Sequence, residues 1–172
     1  MTKISRRWTR DVIGDRRIDY NMLVSLDNLY KLAVKYHIYN AIMLGKKIEL
    51  PGSSYTSEAI RPMIIPENPA KSIRSVVDMI HKYLEKAKNK PGVREEMVRK
   101  SIDFDEVSAI HMYVEDYMCK IVETLVIIRD TNGEDVLKSS NLVNAMLLVR
   151  DYGITLYSKL ADLHHTFKKW YR

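Results

Sequence analysis

A chain of 172 residues, 46% hydrophobic and 29% charged, is long enough to bury a real core and too apolar to remain disordered. Six Gly and five Pro leave few chain breakers, which favours helices. The net charge of +6 is uneven: residues 1–90 hold 17 Lys and Arg against 9 Asp and Glu, whereas residues 91–172 hold 11 against 13. A basic first half points to a polyanionic partner. No stretch approaches the ~20 apolar residues that span a bilayer, so no membrane association is expected. No apolar run follows the charges of Lys3, Arg6 and Arg7, so no secretory signal is expected. Cys119 is the only cysteine, which excludes a disulfide within the chain and fits a reducing compartment.

In chain order, residues 6–13 suit two helical turns stopped by Gly14, and Asp15, Arg16 and Arg17 suit a loop. Residues 19–44 predict a long helix with two apolar stripes. Met22, Leu26, Leu29, Ala33, Tyr36 and Met43 form one; Leu23, Tyr30, Val34, Ile38 and Ile42 form the other. Gly45 is the expected C-cap. Residues 46–54 contain Pro51 and Gly52 and predict a strap. Thr56 or Ser57 caps a short helix over 58–65, interrupted by Pro62. After a turn, Ile73, Val76, Val77, Ile80 and Leu84 predict a helix over 70–88 with a basic outer face.

Residues 86–92, with Pro91, predict a linker, followed by a short basic helix over 93–100. Asp103 or Asp105 caps a second long helix over 104–129, carrying Val107, Ile110, Val114, Tyr117, Met118, Ile121, Leu125 and Ile128, with Cys119 buried. A strap follows over 130–138. Ser139 or Ser140 caps a short helix through Leu142, Ala145, Met146 and Val149, ended by Gly153. An amphipathic stretch closes the chain over 155–170.

The grammar of long helix, polar strap and short helix therefore occurs twice, about 85 residues apart. A long helix that is apolar on two faces cannot cover both alone, so two such units must clasp each other. The expected class is all-α.

At these residues the chain resembles the fused histone doublets of giant DNA viruses. Ser53-Ser54-Tyr55-Thr56-Ser57-Glu58, running into Met63-Ile64-Ile65-Pro66-Glu67-Asn68-Pro69-Ala70-Lys71, is similar to histone 2B. Pro91-Gly92-Val93-Arg94, Val98-Arg99-Lys100, Ile128-Arg129-Asp130 and Leu142-Val143-Asn144-Ala145-Met146 resemble histone 2A. The resemblance implies two histone folds forming an intramolecular handshake, over residues 1–88 and 89–153, with a helical extension over 154–172. It departs from the family in three places. There is no long basic N-terminal tail. Glu134 and Asp135 stand where the family usually has an arginine. The acidic surface patch of histone 2A is mostly absent: Glu115 and Asp116 are present, but Tyr117 and Lys120 fall near positions where carboxylates are usual.

The resemblance implies sequence-independent binding and compaction of double-stranded DNA in a nucleosome-like particle, in a virion, viral factory or host nucleus. The partner would be a second doublet resembling histones 4 and 3. Such contacts use helix N-termini, hydroxyls and cations on phosphates, and arginines in the minor groove. The candidate DNA-binding residues are Arg6, Arg7, Arg10, Arg16 and Arg17, then Lys46, Lys47, Ser53, Ser54 and Thr56 at the first strap. The second half adds Arg94, Arg99, Lys100, Lys138, Ser139 and Ser140. Two other functions fit the composition: a histone-fold regulatory module of a transcription or replication complex, and a helical virion scaffold without a DNA role.

No catalytic constellation, cofactor loop or metal signature stands out, so the chain is not expected to be an enzyme and no cofactor is expected. His37, His81 and His111 lie singly on helices, and His164 and His165 point in different directions. A cut in the chain between residues 88 and 92 is expected to leave two fragments that stay together. Each separated fragment should melt without cooperativity, measured by circular dichroism.

Overall fold

The computed structural model describes residues 17–45, 47–50 and 68–149, and among them the chain is mostly helical. In order they form strand β1 (Arg17–Ile18), helix α1 (Tyr20–Leu44), helix α2 (Pro69–Ala87), helix α3 (Glu95–Arg99) and helix α4 (Phe104–Asn132). Strand β2 (Val136–Leu137), a 3-10 turn (Ser139–Asn141) and helix α5 (Leu142–Leu148) follow. The helices expected over 6–13, 58–65 and 155–170, and the stop at Gly153, lie outside the described residues.

Each long helix starts and stops for local reasons. Asp19 caps α1, its carboxylate accepting the Asn21 N–H at 3.0 Å. Asp103 caps α4 and makes a reciprocal capping box with Glu106. Both helices end at a glycine in the left-handed region, Gly45 at φ 62° and Gly133 at φ 66°, which a side chain there would strain. Helix α4 runs three residues beyond the expected Arg129. Asp130, Thr131 and Asn132 are compatible with helix, and the first residue suited to reverse the chain is Gly133. Asn68 caps α2 by accepting the Lys71 N–H, and Pro69 follows in the first turn, where its missing N–H costs nothing.

Three smaller expectations change. The linker begins later than residue 86, because α2 retains Lys86 and Ala87. Helix α3 is only five residues long, opening after Arg94. Neither Ser139 nor Ser140 caps α5 directly: they sit in the 3-10 turn, and Asn141 precedes α5 without a side-chain cap.

Helix α4 is the hub, touching α1, α2, α5 and β2. Both stripes of α1 are covered: Met22, Leu26, Leu29, Ala33, Val34, Ile38 and Ile42 are buried, as are Tyr30 and Tyr39. On α4, Val107, Ile110, Val114, Tyr117, Met118, Ile121 and Leu125 are buried, with Cys119 among them. Helix α2 adds Ile73, Val77, Ile80 and Leu84, and α5 adds Leu142, Ala145 and Met146. These side chains join one core. Full burial of each aliphatic contributes roughly 1.5–3 kcal/mol. Among the described residues no helix is long and apolar enough to cross a membrane.

The straps produce a feature that periodicity does not reveal. Strand β1, just before α1, pairs in parallel with β2, just after α4, with Arg17 opposite Val136 and Ile18 opposite Leu137. The Asp19 N–H continues the pairing by donating to the Leu137 carbonyl at 3.1 Å. At the other junction, residues 47–48, just after α1, lie against the start of α4, where the Ile48 N–H donates to Glu106 Oε2 at 3.1 Å. Each strap thus meets the beginning of the opposite long helix.

A half-buried histidine packs beside this core. The His37 ring stacks on Tyr113, centroids 5.3 Å apart, and meets Tyr36 edge-on. Burial pushes its pKa down from 6.5 to about 4. The folded chain therefore keeps His37 neutral in a range where the unfolded chain takes up a proton. Stability from this residue is complete above about 6.5 and is lost as pH falls towards 4, by at most about 3 kcal/mol. His37→Phe should flatten that part of the pH profile in urea titrations between pH 7 and 4.5.

Candidate nucleic-acid interface

The strap junctions collect the candidate residues that the structure describes. At the first, β1 supplies the Arg17 backbone, and β2 leads into Lys138, Ser139 and Ser140. The Ser139 hydroxyl reaches Asp19 Oδ2 at 3.5 Å, a long contact. Lys138 pairs with Glu134 at 3.1 Å. Glu134 also accepts from the Asn132 and Asn141 side-chain amides. Hydrogen bonds from Asn132, Lys138 and Asn141 hold its carboxyl below the usual range. Its own N–H donates to the Arg129 carbonyl, closing the end of α4. Glu134 is therefore the organiser of this strap as well as a negative charge within it.

The second junction is built around another carboxylate. Glu106 is 3% exposed and pairs with Lys100, itself 17% exposed, at 3.2 Å. It also accepts the Ile48 N–H and faces the Asp103 N–H. Asp103 accepts the Glu106 N–H at 2.8 Å, and that bond first, then Lys47 and Lys100, holds its carboxyl below the usual range. Lys47 lies 3.7 Å from Asp103, both exposed. Arg94 sends Nη2 to the Met43 carbonyl at 2.7 Å, satisfying an open acceptor at the end of α1. Arg99 pairs with Glu95 one turn away.

Arg6, Arg7, Arg10, Arg16, Lys46, Ser53, Ser54 and Thr56 lie outside the described residues. The described candidates fall into two groups. Arg17, Lys138, Ser139 and Ser140 gather at the β1–β2 junction. Lys47, Arg94, Arg99 and Lys100 gather near the start of α4. Lys47, Arg99, Lys100 and Lys138 each face a carboxylate, and Arg94 serves a backbone carbonyl. Lys100 is the most committed, because its partner is buried. Glu106 was legible as the fourth residue of Asp103-Phe104-Asp105-Glu106, a capping-box spacing. Its hold on a strap 58 residues away was not.

The residues matched to an acidic surface patch do not form one. Glu115 is 4% exposed, with His111 at 3.2 Å, and Asp116 is 8% exposed, with Lys120 at 3.0 Å. Tyr117 is fully buried. Burial first, then Glu115 and Asp27, push the Tyr30 phenol well above its ordinary value. These charges belong to the interior beside the long helices. Among the described residues no group of His, Cys, Asp and Glu is placed to hold a metal ion.

No protein-family model, no curated protein and no solved structure matches the chain.

Removing the Glu106 side chain should release three groups together: the Lys100 charge, the Ile48 N–H and the Asp103 N–H. Glu106→Ala is expected to cost about 3–5 kcal/mol in urea unfolding, because a half-buried lysine loses its counter-charge. Adding Lys100→Met should recover part of that loss.

Proposed function

We propose that this chain is a histone doublet, two histone folds over residues 1–88 and 89–153 clasped in one chain, which binds duplex DNA without regard to sequence. One arrangement supports the reading above all: the reciprocal junction, in which the strap after each long helix meets the start of the other. A pair of folds that share straps in this way gathers helix starts, hydroxyls and cations at two strap junctions. Phosphates can then be held by backbone N–H groups and Lys or Arg side chains, with no base readout. The partner in such a particle is a second doublet resembling histones 4 and 3.

One observation favours the alternative of a regulatory pair that contacts DNA little. The carboxylates Asp103, Glu106, Glu95 and Glu134 already face the cations nearest the described straps. Exposed pairs of this kind are worth only ~0–1 kcal/mol. Lys100 alone is held by a buried partner. A scaffold without a DNA role remains the third reading.

Affinity for random-sequence duplex, measured against salt, separates these readings. A packaging doublet that makes 6–10 phosphate contacts should lose about 10³–10⁵ in affinity between 50 and 200 mM salt. Binding that hardly changes over that range removes the packaging reading, and dependence on one DNA sequence favours the regulatory one. Asp135→Arg should steepen the slope by about 0.9 and increase nuclease protection in a particle assembled with a partner doublet. Unchanged protection would mean that the second strap does not face DNA.

A further inference from the structure

We propose that the outer face of α2 is a second DNA-binding surface, separate from the straps, that grips the phosphate backbone through Lys71, Lys82 and Lys86. The inference rests on the DNA-binding reading above and adds a surface to it.

Helix α2 is amphipathic. Ile73, Val77, Ile80, Leu84 and Ala87 are buried along one side. At 100° per residue, the direction opposite their mean falls on Lys82, with Lys71 and Lys86 within about 40° of it. All three lysines are exposed. Between Lys71 and Lys86 the helix advances about 22 Å, a length of duplex that carries about a dozen phosphate charges. The same face holds Ser75, two carboxylates, Asp78 and Glu85, and Arg74. Glu85 is engaged by Lys88 at 2.8 Å, and Arg74 donates to the Ile102 carbonyl.

Among the described residues Lys71, Lys82 and Lys86 lie within 4.0 Å of no carboxylate, whereas Lys47, Arg99, Lys100 and Lys138 each face one. A lysine that already neutralises a carboxylate must give up that partner to take a phosphate. A free lysine displaces only condensed counterions from the DNA, and the release of those ions is the source of affinity. The outer face of α2 therefore offers three lysines held by no ion pair among the described residues, against one carboxylate on that face, Asp78, that no cation holds within 4.0 Å. The core side chains of α2, together with Arg74 and the His81 contact to the Lys100 carbonyl at 2.7 Å, fix that element to the body.

The test uses the full chain with Lys71→Gln, Lys82→Gln and Lys86→Gln combined, titrated with a random-sequence duplex of about 30 base pairs across a range of salt. The expected result is a slope shallower by about 2.7, which is 0.9 per lost phosphate contact, with the melting temperature unchanged. The Lys→Arg triple should keep the wild-type slope. If the wild type binds duplex and the Gln triple binds with the same slope, the α2 surface is overturned and the strap reading stands. If the wild type does not bind duplex, both fall. If the Gln triple keeps DNA binding but loses binding to polyglutamate, the face serves an acidic protein and the proposal is overturned.

Discussion

Everything in this fold depends on the mutual burial of two long helices, α1 and α4. Each carries apolar residues on more than one side, so neither is stable as an isolated amphipathic helix against water. Once α4 covers α1, its remaining surface is closed by α2 and α5, and the core becomes continuous. The positions of the helix ends then follow, and with them the places where the straps can meet. The short parallel pair of Arg17–Ile18 with Val136–Leu137 would be worthless as an isolated sheet. It persists because the long helices deliver its two segments side by side.

The charges are arranged on a second principle. Carboxylates are used as internal fasteners: Asp19 and Asp103 cap helices, Glu106 ties a strap to a helix start, and Glu134 gathers Asn132, Asn141 and Lys138. Fastening in this way quenches the cations nearest the junctions. A net charge of +6 therefore says less about where a polyanion would sit than the pairing of each cation does. Lys71, Lys82 and Lys86 on α2, by contrast, lie within 4.0 Å of no carboxylate among the described residues.

Much of the helical skeleton was legible in the sequence, because helices announce themselves locally. The start of α1 is fixed by Asp19 and its end by Gly45, both visible in the chain, and the stripes through Met22 and Leu23 identified buried or half-buried positions. The end of α4 was placed too early because Arg129 resembled a familiar helix end. The physical stop is the residue that can turn left-handed, Gly133. The strand pair was not legible at all. Two residues carry no period, and their partners lie 119 residues apart. The candidate cations could be listed from composition, but their pairing could not, since Lys100 with Glu106 and Arg94 with Met43 depend on tertiary placement. Glu115 and Asp116 show the same limit: the sequence places them on α4, and only packing shows that both are buried.

Helix α2 holds on to the segment just before α4 by two bonds, Arg74 to the Ile102 carbonyl and His81 to the Lys100 carbonyl. The next residue, Asp103, is the cap of α4, and its partner Glu106 also accepts from the strap at Ile48. A ligand that stiffens α2 therefore also stiffens the frame in which that strap is held, so the second binding event has less disorder to remove. Arg74, His81 and Glu106 thus join α2, the start of α4 and the strap at Ile48 through one run of hydrogen bonds.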